Sequence, residues 1–358
     1  MTDKPTVNIH GFPDARFAEP LNQREQQILQ TVIHHYILTA TPVGSRALTR
    51  HYHLNLSAAT VRNVMADLEE KGCLMQPHTS SGRVPTDLGY RFYVDFLMAL
   101  QQLPEQDRRV IDEHVSNQSS DIENILHTTV RLLGDLSRQL GVGLAPRFSE
   151  GRLERLDLVP LGGDKILVVI ALKTGVARTI TLEIGLTQRE EQLNRITRVL
   201  NQRLAGLTLR EIETTIGERL QGVRELPVHV ARVFIEAAHK VFHPASTAGE
   251  VVIDGARNII DQPEFSDSDQ FRSIIELIED KQMVVHILRE HLQLERPITI
   301  GNEITEQRIS QCSIISANYS VGDLHGTLGI IGPRRMDYGR ILSLVDYTAR
   351  RINESLKL

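Results

Sequence analysis

The chain has 358 residues, too many for one ordinary core, and at roughly 150 residues per domain it accommodates two or three. Its 41% hydrophobic and 24% charged residues are those of a folded globular protein and exclude disorder. No apolar run approaches the ~18 residues that span a bilayer, and the N-terminus, with Asp3, Lys4, Pro5 and Pro13, lacks the apolar stretch of a signal peptide. Two cysteines, Cys73 and Cys312, make neither a disulfide framework nor a four-ligand zinc site, so a reduced, cytoplasmic setting is expected.

The net charge of -5 argues at first against a nucleic-acid partner, because affinity for DNA comes largely from phosphate neutralisation. The average hides placement. Residues 1–104 hold nine basic and nine acidic side chains, so the deficit lies in 105–358. Residues 41–66 carry Arg46, Arg50 and Arg62 and no acid, and 72–86, also acid-free, carries Arg83. The acids Asp67, Glu69 and Glu70 are packed between the two stretches. Local charge, not net charge, is the relevant quantity.

A first helix is expected from Leu21-Asn22-Gln23-Arg24-Glu25, where Asn22 and Glu25 have capping-box spacing. Leu29, Val32, Ile33 and Tyr36 then give it one buried face, and Thr41-Pro42-Val43-Gly44 stops it. A short second helix follows over about 45–52, with Ala47 and Leu48 inward. Ser57 is placed as the N-cap of a third. In that helix Val61, Val64, Met65 and Leu68 form the core face. Ala58, Ala59, Arg62 and Asn63, with Thr60 beside them, are left on the outside near its N-terminal end.

The N-terminal residues of the second helix of a helix-turn-helix enter the major groove. There Arg pairs with guanine, Asn with adenine, and small or methyl-bearing side chains meet the thymine methyl. Ser57, Ala59, Thr60, Arg62 and Asn63 are therefore the candidate base-reading residues. An ordinary amphipathic helix with a polar outer face is the competing reading. The residues after this helix favour DNA: Leu74–His78 and Gly82–Pro85 flank Thr79-Ser80-Ser81 as two short strands around a polar turn, a wing. Arg46, Arg50 and Arg83 are the candidates for phosphate or groove-edge contacts. Thr86 caps a fourth helix through Tyr90, Phe92, Tyr93, Phe96 and Leu97, read as a packing helix.

These strings also resemble a known family. Pro42-Val43-Gly44-Ser45-Arg46, Ala59-Thr60-Val61-Arg62-Asn63-Val64-Met65-Ala66-Asp67-Leu68-Glu69, Gln76–Thr86 and Gly89-Tyr90-Arg91 are similar to the heat-inducible transcription repressor HrcA family. So is Gly326–Tyr338 near the C-terminus. Arg335 departs from the threonine usual there, with a neutral effect expected. Residues 1–20 are an extension outside the match and receive no role.

Beyond residue 103 a polar segment leads into a helix over about 122–140, with Leu126, Val130, Leu133, Leu136 and Leu140 as its apolar stripe. Three strand-like runs, 155–161, 166–172 and 176–184, read as an antiparallel meander, and a helix over 189–204 comes after them. Helices at 209–216 and 228–241 and a strand at 251–254 come next. Strands at 298–300, 312–319 and 327–331 precede a closing helix over 338–356. The pattern is that of a multidomain α+β chain with one domain interrupted by another. The resemblance implies a winged helix-turn-helix domain (21–104), a discontinuous GAF-like domain (105–190 and 272–358) and an inserted dimerisation domain (191–271).

Enzymatic chemistry finds little support. Gly162-Gly163-Asp164-Lys165 lacks phosphate-loop spacing and reads as a hairpin turn. His34, His35, His51 and His53 have no carboxylate or cysteine at ligand spacing, so no metal and no cofactor is expected. Cys73 reads as a plain buried thiol rather than a redox switch. The expected function is a negative regulator. The resemblance implies a homodimer on the inverted repeat known as CIRCE, upstream of chaperone operons, with the chaperonin GroEL modulating its activity. The alternative is a winged-helix repressor released by a small effector in the GAF-like domain, near His286, Cys312, Tyr319 and His325.

Overall fold

The computed structural model describes residues 20–356 apart from 80, 117–121, 184–189, 224–225, 243–250 and 295; the N-terminal extension, save its last residue, and Ser80 of the turn lie outside the described residues. Helices α1 (Gln23–Thr39), α2 (Ser45–His51) and α3 (Ala58–Glu70) come first, then strands β1 (Leu74–Met75) and β2 (Val84–Pro85). Asn22 caps α1 by accepting from the Arg24 and Glu25 amides, and the Glu25 carboxylate returns to the Asn22 amide at 2.9 Å. Ile28, Leu29, Val32 and Ile33 of α1 meet Leu48 of α2 and Val61, Met65 and Leu68 of α3 in one core. Lys71, just past α3, pairs with the buried Glu25 at 2.9 Å and locks the ends of the first and third helices together.

The β1–β2 hairpin is antiparallel, with Leu74 opposite Pro85. Its base is tied to the loop before α2 by two backbone bonds between Val43 and Arg83, at 2.8 and 2.9 Å. Gly82 makes this approach possible: a Cβ there would stand 2.5 Å from the Val43 carbonyl. Helix α4 (Asp87–Phe92), capped by Thr86, runs into a π-helical turn over Tyr93–Leu97.

Helices α5 (Glu105–Ser116) and α6 (Ile122–Ser137) lead to β3 (Leu140–Leu144). The chain then forms β4 (Leu153–Gly162), β5 (Lys165–Leu172), β6 (Ala177–Glu183) and helices α7 (Glu190–Leu204), α8 (Leu209–Leu220), α9 (Val228–Glu236) and α10 (Ala238–Phe242). It continues through β7 (Val251–Asp254), α11 (Ala256–Ile260), α12 (Ser268–Glu279), α13 (Lys281–Gln293), β8 (Ile298–Ile300), β9 (Cys312–Val321), β10 (Leu324–Pro333) and α14 (Tyr338–Ser355). One sheet has the order β7-β3-β10-β9-β8, antiparallel throughout; a second has the order β4-β5-β6.

The five-stranded sheet has helices on both faces. Ile315, Tyr319, Leu328 and Ile330 pack against α6 and α14 on one side, while Leu140, Val142, Ile314 and Ile331 pack against α12 and α13 on the other. The residues of β3 facing α6 are Gly141 and Gly143; a Cβ on Gly141 would stand 2.2 Å from the Val130 carbonyl of α6.

The second sheet buries Leu156, Val168, Ile170 and Leu182 against Leu193, Leu200, Ile212 and Phe234 of α7, α8 and α9. This corrects the expected boundaries. The meander, expected in the interrupted domain, packs chiefly with the helices that come after it, with Leu324 of β10 at the margin of the same core. The chain leaves that sheet after β3 and rejoins it at β7, rather than departing over 191–271. Two further expectations are corrected. The helix foreseen to Leu140 stops at Ser137 and gives way to β3, and α12 and α13 were not foreseen.

The N-terminal unit is docked on the larger sheet through α4. Asp87 accepts from the Asn302 amide (3.0 Å) and from Arg334 Nη1 (2.6 Å), and Arg91, almost wholly buried, pairs with Glu303 and Asp95 and donates to the Ile298 carbonyl (2.9 Å). The Tyr90 and Tyr338 rings lie 5.9 Å apart beside them. Arg335, expected to be neutral, also reaches across this junction to the Ile37 carbonyl of α1.

Against the same sheet His291 of α13 is 4% exposed, with Nδ1 2.8 Å from Ser316 Oγ and Nε2 2.9 Å from Thr299 Oγ1. Burial lowers its pKa from 6.5 to about 4. The native state therefore favours the neutral ring. The associated stability is complete above the unfolded value and is lost as pH falls through the interval down to about 4. The loss amounts to at most ~3 kcal/mol at the acid end. Urea unfolding at pH 7, 5.5 and 4.5 checks this: His291→Gln is destabilised at pH 7, and the gap to the parent protein narrows with acid. A constant gap would refute the linkage.

Candidate nucleic-acid interface

Ser57 is the N-cap of α3, its Oγ accepting from the Thr60 amide at 3.1 Å and lying 2.9 Å from Thr60 Oγ1. With Val61, Val64, Met65 and Leu68 buried, the opposite face emerges at the start of the helix: Ser57, Ala59, Arg62 and Asn63 are exposed and Thr60 is half-exposed. The first turn of α3 contains no acid, so the positive end of the helix dipole is uncompensated where these side chains emerge. Arg46 and Arg50 of α2 are exposed as well. Among the described residues none of Arg46, Arg50 and Arg62 is paired with an acid. Five of the eight foreseen site residues thus belong to α3 and its cap, and two to the adjoining α2.

Arg83 is placed differently from its two companions. Its Nε donates to Glu69 Oε2 at 2.9 Å and its Nη2 lies 2.7 Å from the same oxygen. With its side chain only 17% exposed, it anchors the hairpin to the C-terminal end of α3 instead of extending from the hairpin tip. Glu69, the half-buried member of the acid trio, is the residue that sequence reasoning missed; Asp67 and Glu70 stay exposed at the end of α3 remote from Ser57. The only sequence signal for Glu69 was that it belongs to the acid trio between two acid-free stretches.

Comparison with known proteins bears on this geometry. The family model described as "HrcA protein C terminal domain" matches residues 123–342. A heat-inducible transcription repressor HrcA of Chlorobium phaeobacteroides (strain BS1) is 39% identical over 351 residues, covering 94% of this chain and 98% of that protein. The one of Chlorobaculum tepidum is 40% identical over the same length and shares. The chain belongs to the HrcA family. A crystal structure described only as that of a hypothetical protein has the same fold, with a TM-score of 0.61 at 24% identity over 94% of this chain and 99% of the other.

As an HrcA-family protein the chain is a heat-inducible transcription repressor, not an enzyme, in agreement with the reading of its motifs. The remaining candidates have local explanations. His35 stacks on His51 (5.9 Å between centroids) and takes an edge contact from Tyr52, bridging the ends of α1 and α2. Burial, then repulsion from His51 and His34, holds its pKa below the ordinary value. Cys73 is 1% exposed and burial pushes its thiol up to about 11, which leaves little thiolate for redox chemistry. Gly162 and Gly163, both at positive φ, form the β4–β5 turn.

The four residues proposed to surround an effector do not converge. Cys312 and Tyr319 are fully buried on opposite faces of β9, in different cores, and the Tyr319 hydroxyl donates to the Leu144 carbonyl at 3.1 Å. His286 is exposed beside Glu290, and His325 lies against Ser320. A cleft of about 480 Å³ does open at the junction, lined by Asp87, Leu88, Arg91, Asn302 and Glu303. Its charged groups are already paired with one another or with Arg334 and Asp95. Among the described residues no helix is long and apolar enough to cross a membrane.

The Arg83–Glu69 pair makes a prediction opposite to the one from sequence. Arg83→Ala leaves the slope of log K against log salt unchanged for duplex DNA, because its charge is already neutralised within the protein. A partly exposed pair contributes about 1 kcal/mol or less to stability, so thermal melting falls slightly. A slope lowered by about one unit would instead place a phosphate at Arg83.

Proposed function

We propose that residues 21–104 act as a winged helix-turn-helix that reads an operator through the N-terminal turn of α3. The observation that carries this reading is the exposed, acid-free face made by Ser57, Ala59, Arg62 and Asn63, with Thr60 at its edge. Arg62 and Asn63 meet base edges, the small and hydroxyl-bearing residues beside them meet methyl groups or water, and Arg46 and Arg50 meet phosphates. Arg83 acts indirectly by fixing the hairpin against α3.

The five-stranded antiparallel sheet with helices on both faces supports a GAF-like reading of the body, and the unit built from β4–β6 and α7–α10 is the candidate dimerisation domain. A twofold dimer on B-DNA demands an inverted repeat with half-site centres whole turns apart, each ~34–36 Å. The operator we infer is CIRCE, upstream of chaperone operons, and the site of action is the cytoplasm. Bound protein obstructs transcription until heat or misfolded protein relieves it. GroEL, by replenishing the binding-competent conformer, raises repression through mass action, and clients that occupy the chaperonin lower it.

The deciding experiment is a gel shift with a chaperone-operon inverted repeat against a scrambled duplex; equal binding to both would overturn the operator assignment. Arg62→Ala is expected to cost ~1–3 kcal/mol and to relax preference at one base position. Arg50→Ala weakens binding to every sequence alike and flattens the salt slope by about one unit. A uniform loss for Arg62→Ala would reassign that residue to a phosphate.

A further inference from the structure

Arg335 lies between β10 and α14, with its side chain 13% exposed. Its Nη1 donates to the Ile37 carbonyl at 2.8 Å, its Nε pairs with Glu264, and its Nη2 lies 3.1 Å from both Glu264 Oε2 and Gln262 Oε1. Ile37 belongs to the last turn of α1, which contains no basic residue of its own. The negative end of that helix, where carbonyls lack intrahelical partners, is met by a cation from the opposite end of the chain. Glu264 sits in the 3-10 turn Pro263–Phe265, and Phe265 is buried in the core on the α12–α13 face of the sheet. One guanidinium therefore joins α1, the edge of β10 and the outer helical layer.

The attachments through Asp87 and Arg91 on α4, and through Gln101 to Asp337, lie on later segments of the N-terminal unit. Those contacts hold its C-terminal side, and the contact to α1 adds a constraint on its far side that restricts its orientation. We propose that Arg335 is a positioning residue for operator binding: by holding α1, and through the shared core α3, it sets the direction in which the base-reading face points relative to the body. The inference rests on the proposed DNA-binding role of α3. The latched arrangement leaves Ser57, Ala59, Arg62 and Asn63 exposed, so it is compatible with a bound duplex.

The test measures fluorescence anisotropy of Arg335→Thr on a full inverted repeat and on a single half-site. Spin labels on Gln27→Cys (α1) and Gln282→Cys (α13) report the distance between unit and body; both positions are exposed, and both native cysteines are buried. Arg335→Thr is expected to weaken full-repeat binding about tenfold, as when linked sites lose their geometry, with half-site affinity unchanged and the distance distribution broadened. Glu264→Gln gives a smaller loss, and the double variant is no worse than Arg335→Thr. Unchanged or tighter full-repeat binding, or an equal loss on the half-site, overturns the proposal. Should the parent protein fail to prefer the repeat over a scrambled duplex, the operator reading falls and the spin-label distances decide: a distribution as narrow as the parent's overturns the positioning role.

Discussion

Strand β3 is where the two separated stretches of the larger sheet meet. It pairs with β7 on one side and with β10 on the other, so it holds the returning chain to the C-terminal strands. That position is tenable only because Gly141 and Gly143 present no side chains to α6, whose Val130 carbonyl lies where a Cβ would be. Leu140, Val142 and Leu144 point the other way, into the core with α13. The alternation of glycine and branched residues thus packs a helix closely on one face and an apolar core on the other. Without β3 the excursion through β4–α10 would have no fixed point of return, and β10, which carries the junction residues Arg334 and Arg335 just beyond its end, would be an edge strand.

The candidate interface on α3 depends on charge that is kept unpaired. A net charge of -5 coexists with three arginines that no acid among the described residues neutralises, because the acids of α3 lie at its far end and one of them, Glu69, is held by Arg83. The pairing does two things at once. It removes one positive charge from the candidate surface, and it keeps a carboxylate from facing the phosphates while the hairpin is held against the helix. Phosphate affinity depends on how many cations are free to release counterions, not on how many the segment contains.

Much of this was legible in the sequence where the determinants are local. The capping box at Asn22 and Glu25, the caps at Ser57 and Thr86, and the apolar stripe of α3 all depend on residues within one or two turns of each other, and the structure has them. The exposed face of α3 is set directly by that stripe. Long-range determinants were not legible. Leu140-Gly141-Val142-Gly143-Leu144 reads poorly as a strand because glycine contributes no side chain to a sheet, and its reason for being there is α6, which the periodicity cannot place. The meander was assigned to the wrong core because alternation reveals that a strand has an inner face, not which core that face covers. Arg83 was read as a phosphate or groove-edge contact, and Arg335 as a substitution of neutral effect, for the same reason: Glu69 is fourteen residues from the one, and Glu264 seventy-one from the other.

The motif residues that identify the family divide between an exposed face, a core and a junction. Ala59, Arg62 and Asn63 of α3 face outward and Val61, Val64, Met65 and Leu68 inward, whereas Arg91, Arg334 and Tyr338 meet at the junction between the N-terminal unit and the sheet. The junction group combines the buried Arg91, paired with Glu303 and Asp95, with the partly exposed Arg334–Asp87 pair around a small aromatic contact. A partly exposed pair such as Arg334–Asp87 contributes at most about a kilocalorie to folding, too little to hold the body together. Orientation needs less. A difference of ~1.4 kcal/mol between two arrangements changes their ratio tenfold, and two half-sites on one duplex are engaged together only by the arrangement that fits both. A modest contact at the junction is therefore enough to matter for the proposed operator binding without governing stability.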